Sequence, residues 1–104
     1  MVVVSAAVAL AGVEEGATVI DVRTRSQHRA DGWPGSLSLP LAEITAGETP
    51  PVAPGSTIYV VCAVGGFSEL AALYLREAGF TAAYSVRGGL AALRALGGPT
   101  LESG

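Results

Sequence analysis

Cysteine becomes a strong nucleophile once ionised, and this 104-residue chain carries a single one, Cys62. It closes the run Ile58-Tyr59-Val60-Val61 and is followed by Ala63-Val64-Gly65-Gly66-Phe67 and then Ser68. Two adjacent glycines let the backbone curl so that successive N–H groups aim at one point. A helix opening at Ser68 adds the positive end of its dipole. Such a cup favours an anion, whether the thiolate of Cys62, a persulfide built on it or a bound oxyanion. Backbone amides of the segment from Ala63 to Ser68, rather than a charged side chain, would do the binding.

One cysteine cannot make an internal disulfide. With His28 the only imidazole, it cannot complete a zinc site either, so no metal is expected; no organic cofactor is expected. A reducing, cytoplasmic setting follows, and any sulfur held on Cys62 must leave by attack from an outside molecule. All six basic residues are arginines, spread from Arg23 to Arg94 in a chain of net charge -3, with no run able to track a phosphate backbone. Nucleic acid is therefore not an expected partner. The apolar opening from Met1 to Val13 lacks a basic start and is too short to span a bilayer, so it is read as folded core, with no membrane partner.

The elements that must hold Cys62 in place are legible as an alternation. Short β-branched runs predict strands at Val2–Val4, Val19–Val22, Ser36–Leu39, Ile58–Val61 and Ala83–Val86. Helix-like stretches fall between them at Ser5–Gly12, Ser26–Ala30, Ser68–Ala78 and Gly89–Leu96, the third ended by Gly79 and the last by Gly97-Gly98-Pro99. In the third, Leu70, Leu73, Tyr74 and the later Phe80 suggest one apolar face. Strand and helix in alternation predict an α/β fold, a central parallel five-stranded sheet with helices on both faces. Tyr59-Val60-Val61, apolar throughout, suits a central strand. Residues 47–55, with Pro50, Pro51 and Pro54, read as a surface loop, and residues 100–104 as a frayed tail. At this length the expectation is one domain over 1–104.

In open sheets of this class, ligand sites lie beyond the carboxyl ends of the strands, where Cys62, Asp21, Arg23 and Arg87 are all expected. Val19-Ile20-Asp21-Val22-Arg23 resembles the strand that opens rhodanese-family domains, and Pro34-Gly35-Ser36 the step that follows it. Cys62 with Gly65 and Ser68 resembles the family's active-site loop, and Gly79-Phe80 with Val86-Arg87-Gly88-Gly89-Leu90 its last strand and turn. The resemblance covers nearly the whole chain in the correct order. It implies a rhodanese-like fold and a sulfurtransferase in which Cys62 accepts a sulfane sulfur, from thiosulfate or another donor, and passes it to an external thiol or other nucleophile, a small molecule or a carrier protein.

Several positions depart from the family's pattern. Many single-domain members have an arginine where this chain has Phe67, and polar residues at Ala63 and Val64; a glycine-histidine pair common before the proline is replaced by Asp31-Gly32, with Trp33 after it. An uncharged loop predicts weak use of thiosulfate, and Trp33 with Phe67 at the mouth of the site would favour an apolar donor, a carrier protein's thiol or a small persulfide. In the family Asp21 and Arg23 support the fold, and a structural ion pair is the reading adopted for them; Arg87 is kept as a supporting residue. Ser68 is read as the cap of its helix and His28 as an exposed side chain. The alternative function is a non-catalytic rhodanese-like binding or regulatory module. A phosphatase is disfavoured, because the arginine that would close its loop is replaced by Ser68.

Overall fold

The computed structural model describes residues 1–63 and 66–96. Five strands, β1 (Val3–Val4), β2 (Thr18–Asp21), β3 (Leu37–Ser38), β4 (Ile58–Val61) and β5 (Ala83–Val86), form one sheet in the order β1-β5-β4-β2-β3. Every pairing is parallel, with Val19 opposite Tyr59 and Tyr59 opposite Tyr84 in the central three. Parallel neighbours need crossovers, and helices supply them: α1 (Ala6–Glu14), α2 (Arg25–Asp31), α3 (Leu41–Thr45), α4 (Gly66–Glu77) and α5 (Gly89–Ala95). α3 was not expected. Five residues after Pro40 are too few for a 3.6-residue period to show.

Alternation along the strands sorts the core into two layers. Ile20, Ile58, Val60 and Cys62 join Ile44 of α3 and Ala71, Ala72 and Leu75 of α4 on one side. Val19, Tyr59 and Val61 join Ala6 and Ala9 of α1 and Leu90 and Leu93 of α5 on the other. Helices thus cover both faces, and β4, buried at all four positions, lies at the centre. Among the described residues, no helix is long and apolar enough to cross a membrane.

Local chemistry sets the helix limits. The Ser5 hydroxyl accepts from the Val8 N–H to start α1. Thr24 and Gln27 form a reciprocal capping box at the start of α2. α4 ends where Gly79, at φ +105°, turns the chain so that the Phe80 N–H reaches the Leu75 carbonyl.

The face that α4 buries is not the one its large residues suggest. Ser68, Ala71, Ala72 and Leu75 point into the core, whereas Leu70, Leu73 and Tyr74 are exposed. Small side chains let α4 approach the sheet closely, a tighter fit than leucines would allow. His28 also differs from expectation: it is half-buried, its Nε2 within 3.0 Å of the Ser36 hydroxyl and 3.1 Å of the Ser36 carbonyl.

Candidate active site

Cys62 is the residue after β4, at the carboxyl edge of the sheet. Its place is held from behind by α5: the Leu90 N–H donates to the Cys62 carbonyl at 2.9 Å and the Ala91 N–H to the Ala63 carbonyl at 3.3 Å. Those are N–H groups of the first turn of α5, which have no intrahelical acceptor and here anchor the active-site strand. The Gly88-Gly89 turn makes this possible, with φ of +79° and +59°.

Cys62 is 4% exposed, yet it lines a cavity of about 430 Å3. Val22, Pro40, Leu41, Ala42, Ala63 and Phe67 give that cavity apolar walls, with Arg23, Thr24, Gln27 and Gly66 completing it. Cys62 is thus nearly buried and borders a chamber. Gly66 begins α4, so the positive end of that helix borders the same space. Val64 and Gly65 lie outside the described residues.

Behind the sulfur is a buried polar pair. The Cys62 Sγ lies 3.8 Å from the Ser68 Oγ, which in turn lies 2.7 Å from the Ser85 Oγ on β5. Both serines are sealed from solvent. Ser68 therefore does not cap α4: it sits in the first turn with its hydroxyl turned inward. Ser85 gave no signal in the sequence beyond a polar residue at an inward strand position.

Arg23 is the one cation among the described residues lining the cavity, and it is engaged. Its guanidinium donates to both oxygens of the fully buried Asp21, at 2.8 Å for Nη2, and to Asp31 at 2.9 Å. The Asp21 carboxylate also accepts the Arg23 backbone N–H at 3.0 Å. Hydrogen bonding from Asp21 raises the Arg23 pKa further, so the charge is permanent but matched.

Two expected neighbours of Cys62 lie elsewhere. Trp33 does not line the mouth of the site: it is 6% exposed and belongs to the core layer under α1 and α5, across the sheet from Cys62. The chain crosses to that side after α2, so the indole packs as core. Arg87 is exposed in the turn after β5, where its backbone N–H bonds the Val4 carbonyl, and it is not among the residues lining the cavity. Among the described residues lining the cavity the aromatic side chain is Phe67 alone, two-thirds exposed at the rim.

Comparison with known proteins agrees with this fold. The family model of the rhodanese-like domain matches residues 5–96. The chain belongs to the rhodanese-like domain family. Among solved structures, this rhodanese-like chain is similar to the rhodanese-like domain of an Anabaena protein, with a TM-score of 0.81 and 31% identity over 96% of this chain and 80% of that one. Among curated proteins it is 38% identical over 73 residues to a tRNA sulfurtransferase of Thermoplasma acidophilum, and 33% identical over 72 residues to the adenylyltransferase and sulfurtransferase uba4 of Ogataea parapolymorpha. The matches take in 70% and 69% of this chain but only 14% and 18% of those relatives. The likeness is to a sulfurtransferase family at the level of one domain.

Proposed function

We propose that this rhodanese-like domain is a sulfurtransferase that carries sulfur as a persulfide on Cys62. The supporting observation is that the sole cysteine stands at the carboxyl end of the central strand, on the wall of an apolar cavity bordered by a helix start. In the first step the Cys62 thiolate attacks the sulfane sulfur of the donor. The donor's bond to that sulfur breaks, its electron pair leaves with the donor's remaining anion, and a new S–S bond forms on Cys62. An external thiolate then attacks the outer sulfur and returns Cys62 to the thiolate, so no oxidant or reductant is consumed. The positive end of α4 favours the charged forms; the Cys62 thiol donates to the Ser68 hydroxyl at 3.8 Å, and once the thiol is ionised that hydroxyl can donate in return.

Sulfurtransferase appears in the names of both curated relatives, which supports the reaction class, not a particular donor. The walls of this cavity favour a persulfide presented by a carrier protein or a small thiol over the dianion thiosulfate, since Arg23 is already matched by two carboxylates. Intact mass after incubation with glutathione persulfide is the test. The chain should gain one sulfur atom, and Cys62→Ser should gain none. A Cys62→Ser variant that still turned over sulfur would falsify the mechanism.

A further inference from the structure

Four of the largest apolar side chains left in solvent belong to one helix: on α4, Phe67 is 67% exposed, Leu73 46%, Leu70 44% and Tyr74 43%. Phe67, Leu70 and Tyr74 are spaced i, i+3, i+7 and so run down one side, with Leu73 widening the strip. Such a concentration on a soluble surface marks an interaction site.

The two ends of this strip differ. At the α4 start, Phe67 forms part of the Cys62 cavity together with Leu41 and Ala42 of α3. Further along, Tyr74 lines a second cavity of about 300 Å3 together with Ile44, Glu48 and Glu77. Both cavities therefore lie between α3 and α4, one lined by Cys62 and the other bordered by two carboxylates. Glu48, Glu69 and Glu77 are exposed, and none takes part in an ion pair among the described residues.

We propose that this strip docks an extended, basic and apolar segment of the protein that trades sulfur with Cys62. The proposal rests on the reading of Cys62 as a sulfur carrier and names its partner's chemistry. Phe67 to Tyr74 spans about 10 Å of helix. With half of each cavity added, an extended chain covers the distance in about four or five residues. The segment thus carries a lysine or arginine that many residues from its reactive sulfur, with apolar side chains between. Unpaired glutamates favour that charge and repel a phosphate backbone, so the partner is a protein and not RNA.

Two short peptides ending in a cysteine persulfide test the assignment. Both carry leucines, and one has a lysine about four residues ahead of the cysteine where its twin has a glutamate. Cys62 should take sulfur from the lysine peptide with a kcat/KM at least about tenfold higher than from the glutamate peptide. Leu70→Glu and Leu73→Glu should remove that advantage while loading from glutathione persulfide stays the same. Glu48→Lys with Glu77→Lys, exposed changes that leave the core alone, should reverse the preference.

Anisotropy of the same peptides, labelled and without the extra sulfur, reads docking independently of transfer. If no donor loads Cys62, the sulfur-carrier reading fails while a lysine preference in anisotropy still supports the strip. Equal binding of the two peptides overturns it. So does binding of an unmodified tRNA transcript that Leu70→Glu weakens, or a dimer of this chain that Leu70→Glu turns into monomer.

Discussion

At the scale of single residues, the chemistry of this site is decided by what surrounds one sulfur atom. Phe67 stands on the rim where an arginine would bring a bidentate contact to a dianionic donor, and Arg23, the cation close at hand, has both carboxylate neighbours already in place. A charge-assisted bond is worth about 1.5 to 3 kcal/mol. Phe67→Arg should therefore raise kcat/KM for thiosulfate roughly tenfold to a hundredfold, read by cyanolysis, with glutathione persulfide gaining far less. An equal gain for both donors would mean that the arginine acts on Cys62 itself and not on the donor's charge. The place of Cys62 between a strand and a helix was legible in the sequence, because an apolar β-branched run ends just before it and helix formers follow within a few residues. Ser85 was not, because nothing local tells a serine buried against another hydroxyl from one that merely tolerates a strand.

Among the elements, the strands were legible to within a residue or two, since β-branched runs such as Ile58–Val61 fill a sheet buried on both faces. Helix α4 was legible in extent but not in orientation. Size suggested that Leu70, Leu73 and Tyr74 face inward, whereas the core accepts Ala71, Ala72, Ser68 and Leu75, and packing, not hydrophobicity summed along the helix, made that choice. The start of α5 matters most to the site, because its N–H groups hold the Cys62 and Ala63 carbonyls. Gly88 and Gly35 share a φ of +79°, but a Cβ on Gly88 would lie 2.7 Å from the Ala92 Cβ, while one on Gly35 meets nothing within 4 Å. Gly35→Ala should thus cost about 1 kcal/mol of left-handed strain. Gly88→Ala should cost about 1 to 3 kcal/mol more in urea unfolding, and it alone should slow sulfur loading of Cys62. Equal losses for the two variants would show that the contact with Ala92 relaxes freely.

Over the whole molecule, one chain of charges links parts that the sheet keeps apart. Asp21 ends β2, Arg23 follows it, Asp31 ends α2, and Arg94 of α5 reaches both the Asp31 side chain, at 3.6 Å, and its backbone carbonyl. Hydrogen bonding from Arg23 holds the Asp31 carboxyl below its ordinary pKa, against a smaller opposing effect of desolvation and with help from the Arg94 charge. A carboxyl whose folded pKa is depressed stabilises the fold above its unfolded value of about 3.9 and loses that contribution as pH falls through the folded value. Arg23 is shifted the other way, further above its already high ordinary value, so its share persists throughout the acid and neutral range and leaves the acid limb to Asp31. Asp31→Asn should then be less stable than the native chain at pH 7, by no more than about 1 kcal/mol because the carboxylate is exposed and screened. The gap should shrink below about pH 4 and at high salt, where screening shortens the reach of the pair. Urea midpoints across pH 2 to 7 give the comparison; a gap that persists undiminished at the acid end would mean that the substituted amide disturbs the α2–α5 junction through its shape, with charge playing no part.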